Sequence, residues 1–365
     1  MDIFAEIKGI KYTPINTSQL VEQNIDVFDI NTCPPNCFVS GDKFKFSISK
    51  WVSPKRTRSY PFERVYNTLG FSKRVTVIPI IKDEGKKGDR DFIQWDTVSL
   101  MSLLDVYVIL AYYIDADKHR TRFNKITNQK FDNDYVKTKL SEISNYHSSA
   151  LHWNLKEIKE TLPLLIEKVK YNYSAIGKKY NVEFHNNEGI ERFKKQFIDG
   201  VDNFMNTSRL KAKQAQNRER LTLQPKEFLV TESKAIITIK NYLGGLYYWT
   251  TDEIKLEKSK LFLTEGKHSR NSKLPSIGDI KDGLLKMILY CNLENIEVND
   301  EKYSHLPVLK LTSENISGTV SSTDNHEQIK TFFENNHFNK KQKDLVESVF
   351  KEGIRNNILI IIEAV

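Results

Sequence analysis

The segment KLFLTEGKHS, residues 260–269, changes from an apolar strand to a charged one within a few residues. Side chains alternate along a strand, so Leu261, Leu263, Glu265 and Lys267 fall on one face. An acid and a base that continue a core-grade row are either a satisfied ion pair or the working end of a site. The preceding segment, TDEIKLEKS (251–259), has the same pattern, with Asp252 on the face of Ile254 and Leu256. Neighbouring strands lie about 4.8 Å apart. If the two pair, Asp252 stands beside Glu265 and Lys267 comes next along the same face.

Two carboxylates so placed suit a hard divalent cation. Mg²⁺ takes one or two carboxylates and completes its shell with phosphate oxygens and water. Bound there, it acidifies a water and stabilises charge at phosphorus. A lysine alongside positions or deprotonates that water, or neutralises the phosphate. Glu253 is the fallback ligand should the register slip by one residue. The plain alternative is a surface ion network. What favours a site is the order of elements, because SIGDIKDGLLKMILYCNL (276–293) follows as an amphipathic helix. It carries Ile277, Ile280, Leu284, Met287, Ile288 and Cys291 on one face, and Ser276 with Asp279 reads as a capping pair at its start.

An acid-x-Lys triplet by itself decides nothing, since Glu6/Lys8, Glu157/Lys159, Glu232/Lys234 and Asp279/Lys281 have it too. The rival is Glu84/Lys86, which also follows an apolar strand, RVTVIPII (74–81), with Glu63, Asp89 and Asp91 nearby. Gly85 and Gly88 put that pair in a loop, where a fixed metal geometry is harder to hold.

At Asp252, twelve intervening residues, and Glu265-Gly266-Lys267, the sequence resembles the PD-(D/E)XK nuclease superfamily. The proline usually written before the first acid is replaced here by Thr251. The stretches EGKHSRNSKLPSIGDIKDGLLKMILYCNL (265–293) and GDRDFIQWDTVSLMSLLDVYVILAYY (88–113) are similar to type II restriction endonucleases within that superfamily. The motif itself covers residues 245–312. The resemblance implies an α/β (α+β) fold, a PD-(D/E)XK-type mixed sheet flanked by helices, with an additional largely helical region. It further implies cleavage of double-stranded DNA at a short specific sequence, Mg²⁺ as cofactor, catalytic residues Asp252, Glu265 and Lys267 with Asp252 and Glu265 on the metal, a homodimer, and a cognate DNA methyltransferase. Two other functions remain open at this stage. One is a non-catalytic DNA-binding or scaffold protein, the other a nuclease of repair or RNA processing.

The rest of the chain is read around that core. Residues 1–133 form a mixed N-terminal region and candidate recognition part, 134–224 a helical region, and 225–365 the nuclease-like core. Lys and Arg number 55 against 47 Asp and Glu, a net +8 that suits a polyanionic partner. Two basic stretches are candidate DNA contacts. KWVSPKRTRSYPFERVY (50–66) interleaves Lys55, Arg56 and Arg58 with aromatics, and RLKAKQAQNRER (209–220) carries Arg209, Lys211 and Lys213 with Glu219 as its only acid. The three cysteines, Cys33, Cys37 and Cys291, complete no zinc spacing and read as structural thiols of a reducing compartment. The most apolar run, VSLMSLLDVYVILAYYI (98–114), falls short of a membrane span and reads as a buried helix capped by Asp96. A cytoplasmic protein with no membrane partner is expected.

Overall fold

The computed structural model describes residues 2–42, 44–54, 61–198, 202–204, 206–207, 210, 214, 235–241, 245–257 and 259–365. The chain is mixed α and β, and it divides into two compact units, Gln19–Leu210 and Met1–Ser18 with Lys211–Val365. The helical stretch after residue 133 therefore belongs with the N-terminal sheet and is not a body of its own. Among the described residues no helix is long and apolar enough to cross a membrane.

In the Gln19–Leu210 unit, five strands lie in the order Val21–Asn24, Asn36–Gly41, Phe44–Lys50, Arg74–Pro79 and Tyr107–Ala111. Val75 and Val77 of Arg74–Pro79 and Ile109 and Ala111 of Tyr107–Ala111 share one core with Val136, Leu140, Ile143 and Trp153, all fully or almost fully buried. Trp153 Nε1 donates to the Val108 carbonyl at 2.8 Å, and Asn154 Oδ1 accepts from Val108 N at 2.7 Å, which fixes the helices on the sheet. Cys33 and Cys37 are free thiols within this core.

One sequence expectation fails here. Residues 98–114 are not a single helix capped by Asp96. The helix Trp95–Leu103 starts from Gln94, Asp96 lies buried inside its first turn, and the chain continues as the strands Tyr107–Ala111 and Tyr113–Lys118. Asp105, at φ 55°, breaks the helix. The β-branched and aromatic run after it, Val106 to Ile114, packs better on a pleated surface than on a helix.

The other unit holds two five-stranded sheets. In the first, Leu246–Thr251, Ala235–Asn241, Asp2–Ile7, Glu294–Val298 and Glu301–Lys302 are neighbours in that order, and Asp2–Ile7 runs parallel to Ala235–Asn241. The second carries the residues of interest: Glu253–Glu257, Lys260–Ser269, Ser304–Ser313, Leu359–Ala364 and Thr319–Ser321. Glu253–Glu257 and Lys260–Ser269 form an antiparallel hairpin, whereas Lys260–Ser269 runs parallel to Ser304–Ser313. Parallel neighbours need a crossover, and the helix Ile277–Cys291 supplies it, packing on both strands.

Local sequence accounts for that helix. Ser276 Oγ accepts from Asp279 N at 3.1 Å, and Ile280, Leu284, Met287 and Ile288 are fully buried. Ile277 is half-exposed at the N-terminus. The segment before Ser18 clasps the last helix, Lys340–Arg355. The buried carboxylate of Glu352 accepts from Tyr12 Oη at 2.6 Å, Ile15 N at 3.0 Å, Asn16 N at 2.9 Å and Asn16 Nδ2 at 2.7 Å.

Candidate active site

Asp252 occupies the corner where the chain leaves one sheet for the other, between the strands Leu246–Thr251 and Glu253–Glu257. Its N–H donates to the Thr264 carbonyl at 3.1 Å, and its Oδ2 accepts from Gly266 N at 2.9 Å. The register pairs Glu253 with Thr264 and Ile254 with Leu263, so the next pair outward is Asp252 with Glu265. The register slip that would have exchanged Asp252 for Glu253 does not occur. Glu253 instead lies 3.5 Å from Lys310, which also meets Glu363 at 2.9 Å, forming an ion ladder across the sheet.

Glu265 continues the buried row of Leu261 and Leu263 and is itself 1% exposed. Lys267 Nζ lies 3.0 Å from Glu265 Oε1 and 2.7 Å from Asp282 Oδ2. Lys286 Nζ lies 2.5 Å from the same Oε1. The three residues predicted from the hairpin thus come together, and the helix Ile277–Cys291 adds Asp282 and Lys286. These last two escaped the sequence reading. Their signal is the four-residue step from Asp282 to Lys286, which places both on one helical face beside Gly283. Gly283 is required there, since a Cβ would stand 2.7 Å from Leu309 Cδ1 and 3.3 Å from Lys267 Cε.

The electrostatics are those of a charge held under tension. Burial, above all, pushes the Glu265 carboxyl above the ordinary glutamate range; the Lys286 and Lys267 charges act against it, and the Asp252 charge adds to it. Burial disfavours the Lys267 ammonium, yet Glu265 and Asp282 outweigh it and hold its pKa above the usual lysine value. Burial likewise raises the Tyr290 phenol, with the Glu265 and Asp252 charges adding to it. One oxygen of this cluster stands out: Glu265 Oε2 is buried and accepts no hydrogen bond. A buried carboxylate oxygen without a donor costs about 1–3 kcal/mol or more.

Among the described residues no group of three or more His, Cys, Asp and Glu side chains is gathered for a metal. The donor set offered is two carboxylates, Asp252 and Glu265, which fits Mg²⁺ with its remaining shell of water and phosphate better than it fits Zn²⁺. His268 is engaged elsewhere, with Thr312 Oγ1 at 3.0 Å and Glu314 at 3.6 Å.

The rival pair is taken apart. Glu84 meets Lys125 at 2.6 Å and Lys82 at 2.8 Å, while Lys86 meets Glu183 at 2.7 Å on the surface. Burial alone would raise the Glu84 pKa, but the two lysines prevail and hold it at about 2. Of the basic stretches, Lys55, Arg56, Arg58, Arg209, Lys211 and Lys213 all lie outside the described residues. The flanking Lys50 and Arg64 have internal roles: Lys50 Nζ donates to the carbonyls of Ile30 at 2.8 Å and Cys33 at 2.9 Å, and Arg64 donates to the Lys50 carbonyl. Comparison of the chain with protein families, with curated proteins and with solved structures found no match.

Proposed function

We propose that this chain is a Mg²⁺-dependent endonuclease that hydrolyses phosphodiester bonds of double-stranded DNA at a short specific sequence, in the manner of a type II restriction endonuclease of the PD-(D/E)XK superfamily. The observation that carries the reading is the buried Glu265, with one oxygen lacking a donor, set beside Asp252 and in contact with Lys267. The order strand, strand, helix, parallel strand around those residues supports it, as does the net charge of +8. Homodimer formation, a partner methyltransferase and a cytoplasmic location follow from the same resemblance.

In this reading Asp252 and Glu265 hold the ion, which when bound supplies an acidified water and charge neutralisation at phosphorus. Lys267, held as the charged ammonium, orients the attacking water and neutralises charge at phosphorus, and Asp282 fixes the lysine from the opposite side at 2.7 Å. The apolar strand beneath, Leu261 and Leu263, keeps bulk water from the base of the site. Asp252 is positioned through the Gly266 N–H, so the two acids move as one unit with the hairpin.

The test is incubation of the full chain with plasmid and Mg²⁺, with EDTA and Ca²⁺ as controls. Discrete fragments in Mg²⁺, and none in EDTA, are expected. Ca²⁺ should support binding with little cutting, because its larger and looser shell holds the water poorly. Retarded but intact plasmid in every metal would favour a non-catalytic DNA-binding protein, and sequence-independent cutting would favour a repair-type nuclease.

A further inference from the structure

Lys286 meets the same Glu265 oxygen as Lys267, at 2.5 Å against 3.0 Å. The two ammonium groups are held differently. Lys267 has Asp282 on its other side at 2.7 Å. Lys286 has Glu265 as its one anionic partner among the described residues, and otherwise lies over the ring of Trp249, 5.3 Å from its centre. A cation over an aromatic face is held only weakly, and the ring does not replace a counter-ion.

A dication on Glu265 therefore affects the two lysines unequally. Lys267 stays neutralised by Asp282. Lys286 loses the counter-charge it has among the described residues and faces a double positive charge at contact range, which repels it even with substantial solvent screening. Its side chain is 18% exposed, and the ammonium sits on a flexible four-carbon stem, so it can leave. The nearest suitable anion in a nuclease site is a phosphate of the substrate.

We propose that Lys286 and the divalent cation compete for Glu265, and that Lys286 passes to a DNA phosphate when the cation binds, so that metal and DNA each strengthen the binding of the other. This rests on the nuclease reading. By linkage the two effects are equal in size: whatever factor DNA adds to metal affinity, metal adds to DNA affinity. Lys286 is then a catalytic residue by contact with substrate, and Lys267 remains free for the water.

The experiment is calorimetric titration of Ca²⁺ into the full chain, wild type and Lys286→Gln, with and without linear plasmid DNA. Without DNA, Lys286→Gln should bind Ca²⁺ about tenfold more tightly, since the competing ammonium is gone. DNA should tighten Ca²⁺ binding to both, through phosphate in the metal shell, but by about tenfold more in wild type than in Lys286→Gln. Lys286→Arg, which keeps the charge, should keep the coupling. Trp249 gives a second readout: Ca²⁺ should change the emission of wild type as the ammonium leaves the ring, and Trp249→Phe should lose that change. Equal Ca²⁺ affinity in wild type and Lys286→Gln, or DNA coupling as large in Lys286→Gln as in wild type, would overturn the proposal. A chain that shows the expected competition but never cuts duplex would sink the nuclease reading alone. A chain that cuts duplex while its Ca²⁺ affinity ignores both Lys286→Gln and DNA would sink this proposal alone.

Discussion

The tripeptide Glu-Gly-Lys occurs twice in this chain, at 84–86 and at 265–267, and the two copies do opposite things. In the first, Gly85 sits at φ +95°, so the chain turns and its flanking side chains diverge. Glu84 goes to Lys82 and Lys125, and Lys86 goes outward to Glu183. In the second, Gly266 lies inside a ten-residue strand, so the side chains on either side of it share a face and meet at 3.0 Å. The tripeptide carries no chemistry of its own. Backbone conformation decides whether an acid and a lysine two residues apart meet each other or turn to separate partners.

The largest expected effect separates the two copies directly. Lys267→Ala should lower cleavage by at least about a hundredfold, equivalent to about 3 kcal/mol of transition-state stabilisation. Lys86→Ala should leave the rate unchanged, because the ion pair its side chain makes with Glu183 is an exposed one worth about 0–1 kcal/mol. Initial rates on plasmid in Mg²⁺, with circular dichroism to verify folding, make the comparison. A dead Lys86→Ala beside an active Lys267→Ala would move the active centre to the Gln19–Leu210 unit.

The glycines sharpen the same contrast through stability. At Gly85 a Cβ would stand 2.5 Å from the Asn124 carbonyl oxygen, in addition to the strained φ. Gly85→Ala should therefore cost about 1–3 kcal/mol. At Gly266 the nearest atom to a Cβ is Asp252 Oδ2 at 3.8 Å, so Gly266→Ala should unfold at nearly the wild-type urea midpoint. A Gly266→Ala chain less stable than Gly85→Ala would contradict the two backbone conformations.

The smallest effect is electrostatic. The folded-state pKa of Glu84 lies at about 2, below its ordinary 4.5. A depressed carboxyl pKa contributes stability that is complete above the unfolded value and is lost as the pH falls through the folded one. Glu84→Gln should thus be about 1 kcal/mol less stable than wild type near pH 6. The gap should close as the pH approaches 2. Thermal unfolding across that range checks it, and a gap that widens in acid would reverse the assigned sign.

Much of the site hairpin was legible because strands write their burial with a period of two. Leu261, Leu263 and Glu265 announced their face, and Asp252 announced its own through Ile254. The one-residue accuracy of the register came from the same alternation. The helix partners were harder to see. An acid and a lysine four residues apart, as Asp282 and Lys286 are, look the same on a solvated helix face, and only the tertiary fold turns that face toward Lys267. The run at 98–114 misled for a related reason: a stretch buried on all sides shows no period, so length was the only guide, and a single residue, Asp105, divides it. Nothing in residues 2–7 announced that this strand would pair with residues more than two hundred positions away.

That pairing also dictates a schedule. As the chain leaves the ribosome, residues 19–210 have all the partners of their own unit at hand and can close as they emerge. The first strand must wait for 235–241 and 294–298, and Tyr12 and Asn16 must wait for Glu352, almost at the last helix turn. A nascent chain therefore carries Asp252, Glu265 and Lys267 well before the scaffold that sets them is finished. Whatever the hairpin does, it does only once the last helix has been made.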